Sequence, residues 1–231
     1  MSDLIGELDG QLLDGLEFCA KAYVLFELLR AEPGGIERLR LRTAKDEKRL
    51  LDEISPICRY VQIYYRPGRY ISVRWVNGSQ SYDAGLVQSG DYVTHGFYDK
   101  NAFLETTSAM HPNEHSTWKL LNQGKTAFAP EGIDAKRGTP LTSEPVVFSN
   151  SEHVFGFAPF VVSSIRKKMD IPYPDNTSLV VQCHLNNLYM PSDWQLLVSE
   201  VEREIVATPF CEVLLIDSLT QRATPLALQA L

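Results

Sequence analysis

The residues of this chain whose types and spacing suit chemistry are a few acids and one histidine motif. Asp83 lies in the run Ser79 to Leu86, which follows the alternating segment Tyr70-Ile71-Ser72-Val73-Arg74-Trp75-Val76 across Asn77-Gly78. Asn-Gly between two strand-like runs predicts a hairpin with a two-residue turn. In that register Ile71, Val73 and Tyr82 share one face, and Arg74 and Asp83 share the other. Glu105 lies in the next strand-like run, Ala102 to Thr107, with Phe103 and Thr107 on its side. Asp83, Glu105 and Thr107 are thus expected on one sheet face. Two neighbouring carboxylates repel, so at least one should titrate above its ordinary range, and Mg²⁺ or Mn²⁺ would displace that proton. The structural alternative is a salt bridge between Arg74 and Asp83. His111-Pro112-Asn113-Glu114-His115 has H-x-x-E-H spacing, in which two imidazoles hold Zn²⁺ and the Glu acts as base. Pro112 suits the first turn of a helix, which leaves His111 at the cap; His95 and Glu105 are candidates for a third ligand.

These residues need a scaffold. A first helix is predicted over about Leu12 to Leu29, apolar nearly all round and therefore largely buried, ending at Pro33-Gly34-Gly35. A second starts near Thr43, whose spacing to Asp46 is that of a capping box. Leu50, Leu51, Ile54, Ile57, Cys58 and Val61 form its stripe, and Pro56 is expected to kink or end it. At about 100° per residue Glu47 falls inside that stripe and Glu53 about 100° from its centre. An unpaired carboxylate on an apolar face is costly, so Glu47 is expected to find a partner or reach water. Further helices are expected after Pro112, between Glu152 and Met169 (where Gly156 and Pro159 oppose it), and over about Ser192 to Ile205. Buried strands are expected at Leu179 to Cys183 and Cys211 to Ile216, with residues 125–150 irregular. The sum is an α/β fold: one domain over residues 1–231, a mixed sheet of about five strands flanked by helices.

The order of an acid-bearing helix, a hairpin ending in Tyr82-Asp83, and a strand with Glu105-Thr106-Thr107 resembles the PD-(D/E)XK nuclease-like superfamily. The resemblance covers about Thr43 to Gln123 as motif and the later strands as order. It implies a restriction-endonuclease-like fold and Mg²⁺-dependent hydrolysis of nucleic acid phosphodiesters. Asp83 and Glu105 would be the metal ligands, Glu47 the helix acid, and Thr107 would orient water or phosphate. Tyr82 stands where the motif has Pro, and Thr107 where it has Lys, so no cation is marked for the scissile phosphate. Arg74 and Lys119 are the substitutes in view. A non-catalytic relative that binds nucleic acid or protein, and a zinc hydrolase built on His111, Glu114 and His115, are the alternatives.

Composition narrows the field. The formal net charge of −7 argues against general polyanion binding, because duplex affinity comes mainly from neutralising phosphates. Basic residues cluster locally, at Arg66, Arg69 and Arg74 and in Arg166-Lys167-Lys168, each expected to be a solvated face. No run approaches the ~20 apolar residues of a membrane span, and the acidic start of the chain is unlike a secretory signal, so a cytoplasmic protein is expected. Cys19, Cys58, Cys183 and Cys211 form no C-x-x-C pair and read as buried free thiols. There is no P-loop, G-x-G-x-x-G or G-x-S-x-G.

Overall fold

Tyr70–Trp75 and Ala84–Ser89 form the antiparallel pair that the alternating sequence predicts. The computed structural model describes residues 5–135, 138–185, 190–220 and 222–230. In chain order the elements are β1 (Leu12–Asp14), α1 (Gly15–Ala31), α2 (Gly35–Leu41), α3 (Lys45–Arg49), a π-helical turn (Leu50–Ile54), α4 (Ser55–Tyr64), β2 (Tyr70–Trp75) and β3 (Ala84–Ser89). Then come α5 (Asp91–Thr94), β4 (Asn101–Ala109), α6 (Glu114–Asn122), β5 (Ile133–Asp134), β6 (Thr142–Ser143) and α7 (Asn150–Met169). The chain continues with β7 (Thr177–Cys183), α8 (Pro191–Glu204), β8 (Ala207–Thr208), β9 (Glu212–Asp217), β10 (Ala223–Pro225) and β11 (Gln229–Ala230).

The architecture is α/β, with a mixed seven-stranded sheet in the order β1-β2-β3-β4-β7-β9-β10. Its first four strands are antiparallel, β4, β7 and β9 run parallel, and β10 returns antiparallel. The expectation of about five strands is corrected to seven: β1 and β10 are three residues each, too short for periodicity to mark. Helices cover both faces. Ile71, Val73, Trp75, Leu104 and Val180 pack with α1 and α4; Leu179, Val181, Val213 and Leu215 pack with α7 and α8. The unbroken run Leu179-Val180-Val181 feeds both cores, as expected of a parallel strand covered on both sides.

Several expectations need correction. Helix α1 is buried along one side only, through Phe18, Cys19, Ala22, Leu25 and Leu29, while Leu16, Tyr23, Val24 and Leu28 are exposed. Cys211 is exposed, unlike the other three thiols. Gly156 and Pro159 do not break α7, because a capping box between Ser149 and Glu152 starts it and Val154, Phe157, Val161 and Ile165 bury it. The β2–β3 connection is longer than two residues. Trp75 pairs with Ala84, and the Val76 amide donates to the Asp83 carbonyl at 3.0 Å, so residues 77–82 form the loop. Neither Asn77 nor Gly78 has the positive φ of a tight hairpin turn. The Asn77 amide instead donates to Asp9, and the Gln80 amide bridges the carbonyls of Val76 and Tyr82. Ile71, Val73 and Trp75 remain with Ala84 and Leu86, but Tyr82 does not join them: outside the ladder, its ring packs on Phe103, on the face of Arg74. Among the described residues no helix is long and apolar enough to cross a membrane.

Pro56 shapes the second helical segment without ending it. Proline has no N–H for the carbonyl of residue i−4, here Asp52. The backbone meets this by widening to a π turn just before Pro56, with the Ser55 amide donating to the Leu50 carbonyl. The Asp52 carbonyl lies 3.0 Å from the Thr106 hydroxyl on β4. A π turn inside a helix often marks a functional position. Here it sets Glu53 against the sheet.

Candidate active site

Strands β3 and β4 part at one place. Leu104 is the last β4 residue paired with β3, opposite Ala84; from Glu105 to Ala109 the strand pairs with β7 alone. Asp83 occupies the opening. Its amide donates to the Leu104 carbonyl at 2.8 Å, and its Oδ2 accepts from the Thr106 amide at 2.8 Å and the Thr106 hydroxyl at 2.6 Å. The carboxylate thus satisfies a strand-edge N–H that would otherwise be orphaned.

Four further side chains converge there. Glu105 is buried, and its Oε1 accepts from the Lys168 ammonium, which reaches it from the last turn of α7. Glu53 accepts from the indole N–H of the fully buried Trp75 at 3.1 Å. The ring of Tyr173 packs on Phe210, centroids 5.0 Å apart, and its hydroxyl lies in the field of Glu105 and Asp83.

The electrostatics are those of crowded acids around one cation. Burial first, then the Asp83 charge, pushes Glu105 up to about 7 against the pull of Lys168. Burial raises Asp83 too, opposed by the Thr106 hydrogen bonds and by Lys168. Glu53 is raised by burial and then by Asp83. Crowding and burial thus hold Glu105 near neutrality.

The remaining sequence candidates are placed as follows. Thr107 is paired across to Val181, and the hydroxyl that holds Asp83 belongs to Thr106 instead. Arg74 sits opposite Gly85 and is exposed; the cation of the cluster is Lys168. Glu47 is buried and turned to its own helix start: it accepts from the Ala44 amide and from the Thr43 hydroxyl at 3.2 Å, and forms an ion pair with Arg38 at 3.3 Å. Glu47 thus serves the cap of α3, and the helix acid in the field of Asp83 is Glu53, turned to the sheet by the π turn. Glu47→Ala should cost about 1–3 kcal/mol in urea unfolding, the range for orphaning buried hydrogen-bonded groups, and leave the response to Mn²⁺ unchanged. A changed Mn²⁺ response would return Glu47 to the site.

The H-x-x-E-H residues do not share a helix face. Helix α6 begins at Glu114 with Asn113 as cap, so His111 precedes it, its ring against Phe160 and its Nδ1 accepting from the Asn113 amide. His115 lies beside Trp118, and Glu114 is buried. Among the described residues no three His, Cys, Asp or Glu side chains form a ready-made metal cage.

Lys168 carried a signal that the basic run hid. It continues the buried line Val161, Ile165 at helical spacing, so its stem lies on the packed side of α7. No protein-family model, curated protein or solved structure matches the chain, so the site is read from its geometry.

Proposed function

We propose that this protein is a divergent, Mg²⁺-dependent nuclease of restriction-endonuclease-like architecture that hydrolyses nucleic acid phosphodiesters at Asp83, Glu105 and Lys168. The observation that carries the reading is the arrival of Lys168 at Glu105. It supplies from a helix the cation that Thr107 does not offer on the strand. Asp83 fills the open strand junction on the Thr106 hydroxyl, and Glu105, the preceding β4 residue, meets its field from the α7 side; these two carboxylates would offer the oxygen ligands. Mg²⁺ keeps several waters and commonly takes one or two carboxylates plus substrate phosphate, so two suffice. When bound, the ion would lower the pKa of water and neutralise charge on the phosphate.

The chain's own groups divide the remaining work. Thr106 fixes the Asp83 carboxylate, so it is oriented before any ligand arrives. Lys168, held at Glu105 from the end of α7, would be the cation available to the scissile phosphate.

The proton linkage gives the first test. Glu105 titrates at about 7 in the fold, above its ordinary value of 4.5, so between those values the folded state holds a proton that the unfolded chain has released. Stability of the metal-free protein should therefore fall as pH rises through that window, by about 3 kcal/mol at most. Mn²⁺ competes with that proton, so the rise in Tm it produces should grow with pH up to about 7 and level off above it. Thermal unfolding of wild type and Asp83→Asn with and without Mn²⁺ reads both effects. A shift of equal size in Asp83→Asn, or none in wild type, overturns the assignment of the ligands.

A further inference from the structure

The sheet face that carries Glu105 continues past the end of α7 onto β3, β2 and β1, and there the described residues leave it open. Along these strands burial alternates. Ile71, Val73, Trp75, Ala84, Leu86 and Leu104 are buried on the side of α1 and α4, while the residues between them are exposed or half-buried. One row runs straight across the open face: Leu12 pairs with Arg74, Arg74 with Gly85, and Gly85 with Phe103. Directly paired residues share a face. Tyr82 joins the row from its loop, its ring centroid 4.7 Å from that of Phe103. Glu105 lies two residues beyond Phe103 on β4, on the same face and about 7 Å along the strand.

This row lines a shallow trough of about 200 Å³. Arg74 is exposed and is the one charged residue among those lining it. Asp83 turns to Thr106 rather than to Arg74, which is left without an ion pair among the described residues. Gly85, in the middle of the row, has no reason within the fold. Its φ is outside the left-handed region, and a Cβ at this position would meet nothing within 4 Å. A glycine inside a strand weakens it, and where packing does not require one it marks a close approach by another molecule.

We propose that this trough takes an unpaired base of a single-stranded nucleic acid, seated over Gly85 against the Tyr82–Phe103 pair, with Arg74 on a flanking phosphate and the strand continuing to Glu105 and Lys168. The path to Glu105 rests on the nuclease reading; the seat for the base does not. A ring can stack on a base only where the partner strand has released it, which a duplex denies. Stacking also needs little charge, whereas duplex affinity needs many phosphates neutralised. A chain of net charge −7 with one cation in the trough meets the first requirement and not the second. The distance to Glu105 is that of about two stacked nucleotides at about 3.4 Å each.

Fluorescence anisotropy of the full chain in excess chelator, which withholds the metal, reads binding alone. The probes are a labelled single-stranded oligonucleotide, its duplex, and a strand of the same length without bases. The single strand should bind at least about tenfold more tightly than either of the others, because the abasic strand keeps the phosphates and loses the stacking. Gly85→Val should keep or raise Tm, since valine suits a strand, and weaken the single strand by about tenfold or more. Phe103→Leu keeps an apolar contact for Tyr82 and should weaken it similarly. Arg74→Gln should lower the slope of log affinity against log salt by about one. No binding by wild type, equal binding of the single and abasic strands, or wild-type affinity in Gly85→Val overturns the proposal. Binding with these dependences but no cleavage in Mg²⁺ would sink the nuclease reading and leave the seat standing; cleavage without them would do the reverse.

Discussion

Asp83→Asn and Glu105→Gln should each lower phosphodiester cleavage by about 10³-fold or more, because each removes a ligand charge that the reaction needs where charge develops on the phosphate. The two should differ in stability. Asn at position 83 keeps an acceptor for the Thr106 amide and hydroxyl, so the contact across the strand junction is retained. Gln at position 105 removes an acid that burial and Asp83 hold near 7, so it should stabilise the metal-free protein above neutral pH while silencing it. Urea unfolding at pH 8 beside a cleavage time course reads both quantities. A Glu105→Gln protein that is both less stable and fully active would show that Glu105 serves the fold alone.

Lys168→Met should lower cleavage by about 10²-fold, the typical loss on removing one stabilising group from the reacting phosphate. Its distinguishing consequence is on metal binding. Lys168 pairs with Glu105, so it competes with the ion for that carboxylate. Without it, Mn²⁺ should bind more tightly at pH 8 even as turnover falls, and Lys168→Arg should recover part of the rate. Titration calorimetry with Mn²⁺ beside single-turnover cleavage checks this. Weaker Mn²⁺ binding together with lost activity would make Lys168 a structural anchor.

What the sequence made legible follows from range. Alternation over Tyr70 to Trp75 and the apolar run at Leu179 to Val181 are local signals, and both give strands at the expected places. The acids Asp83 and Glu105 were visible because they sit on or beside such strands. Glu53 and Lys168 were hidden for opposite reasons. Glu53 depends on a π turn set by Pro56, which no uniform 100° rotation describes. Lys168 belongs to a basic run whose neighbours Arg166 and Lys167 suggest a solvated face, and only the burial of Val161 and Ile165 turns it inward. The hairpin register differs from the one Asn77-Gly78 predicts because the Gln80 side chain closes a wider loop. That change moved pairing partners and left Ile71, Val73 and Trp75 on their face, while Tyr82 went to the face of Phe103 and Arg74.

The central claim is that the Asp83–Glu105–Lys168 cluster cuts phosphodiesters with the aid of a divalent ion. End-labelled single- and double-stranded DNA and RNA, incubated with wild type and Asp83→Asn in Mg²⁺, Mn²⁺ or excess chelator, test it most directly. The expected result is cleavage of at least one of these substrates by wild type in either metal, none in chelator, and none by Asp83→Asn in any condition. Cleavage that survives in chelator or in Asp83→Asn, or intact substrates throughout with folded wild-type protein, would contradict the account.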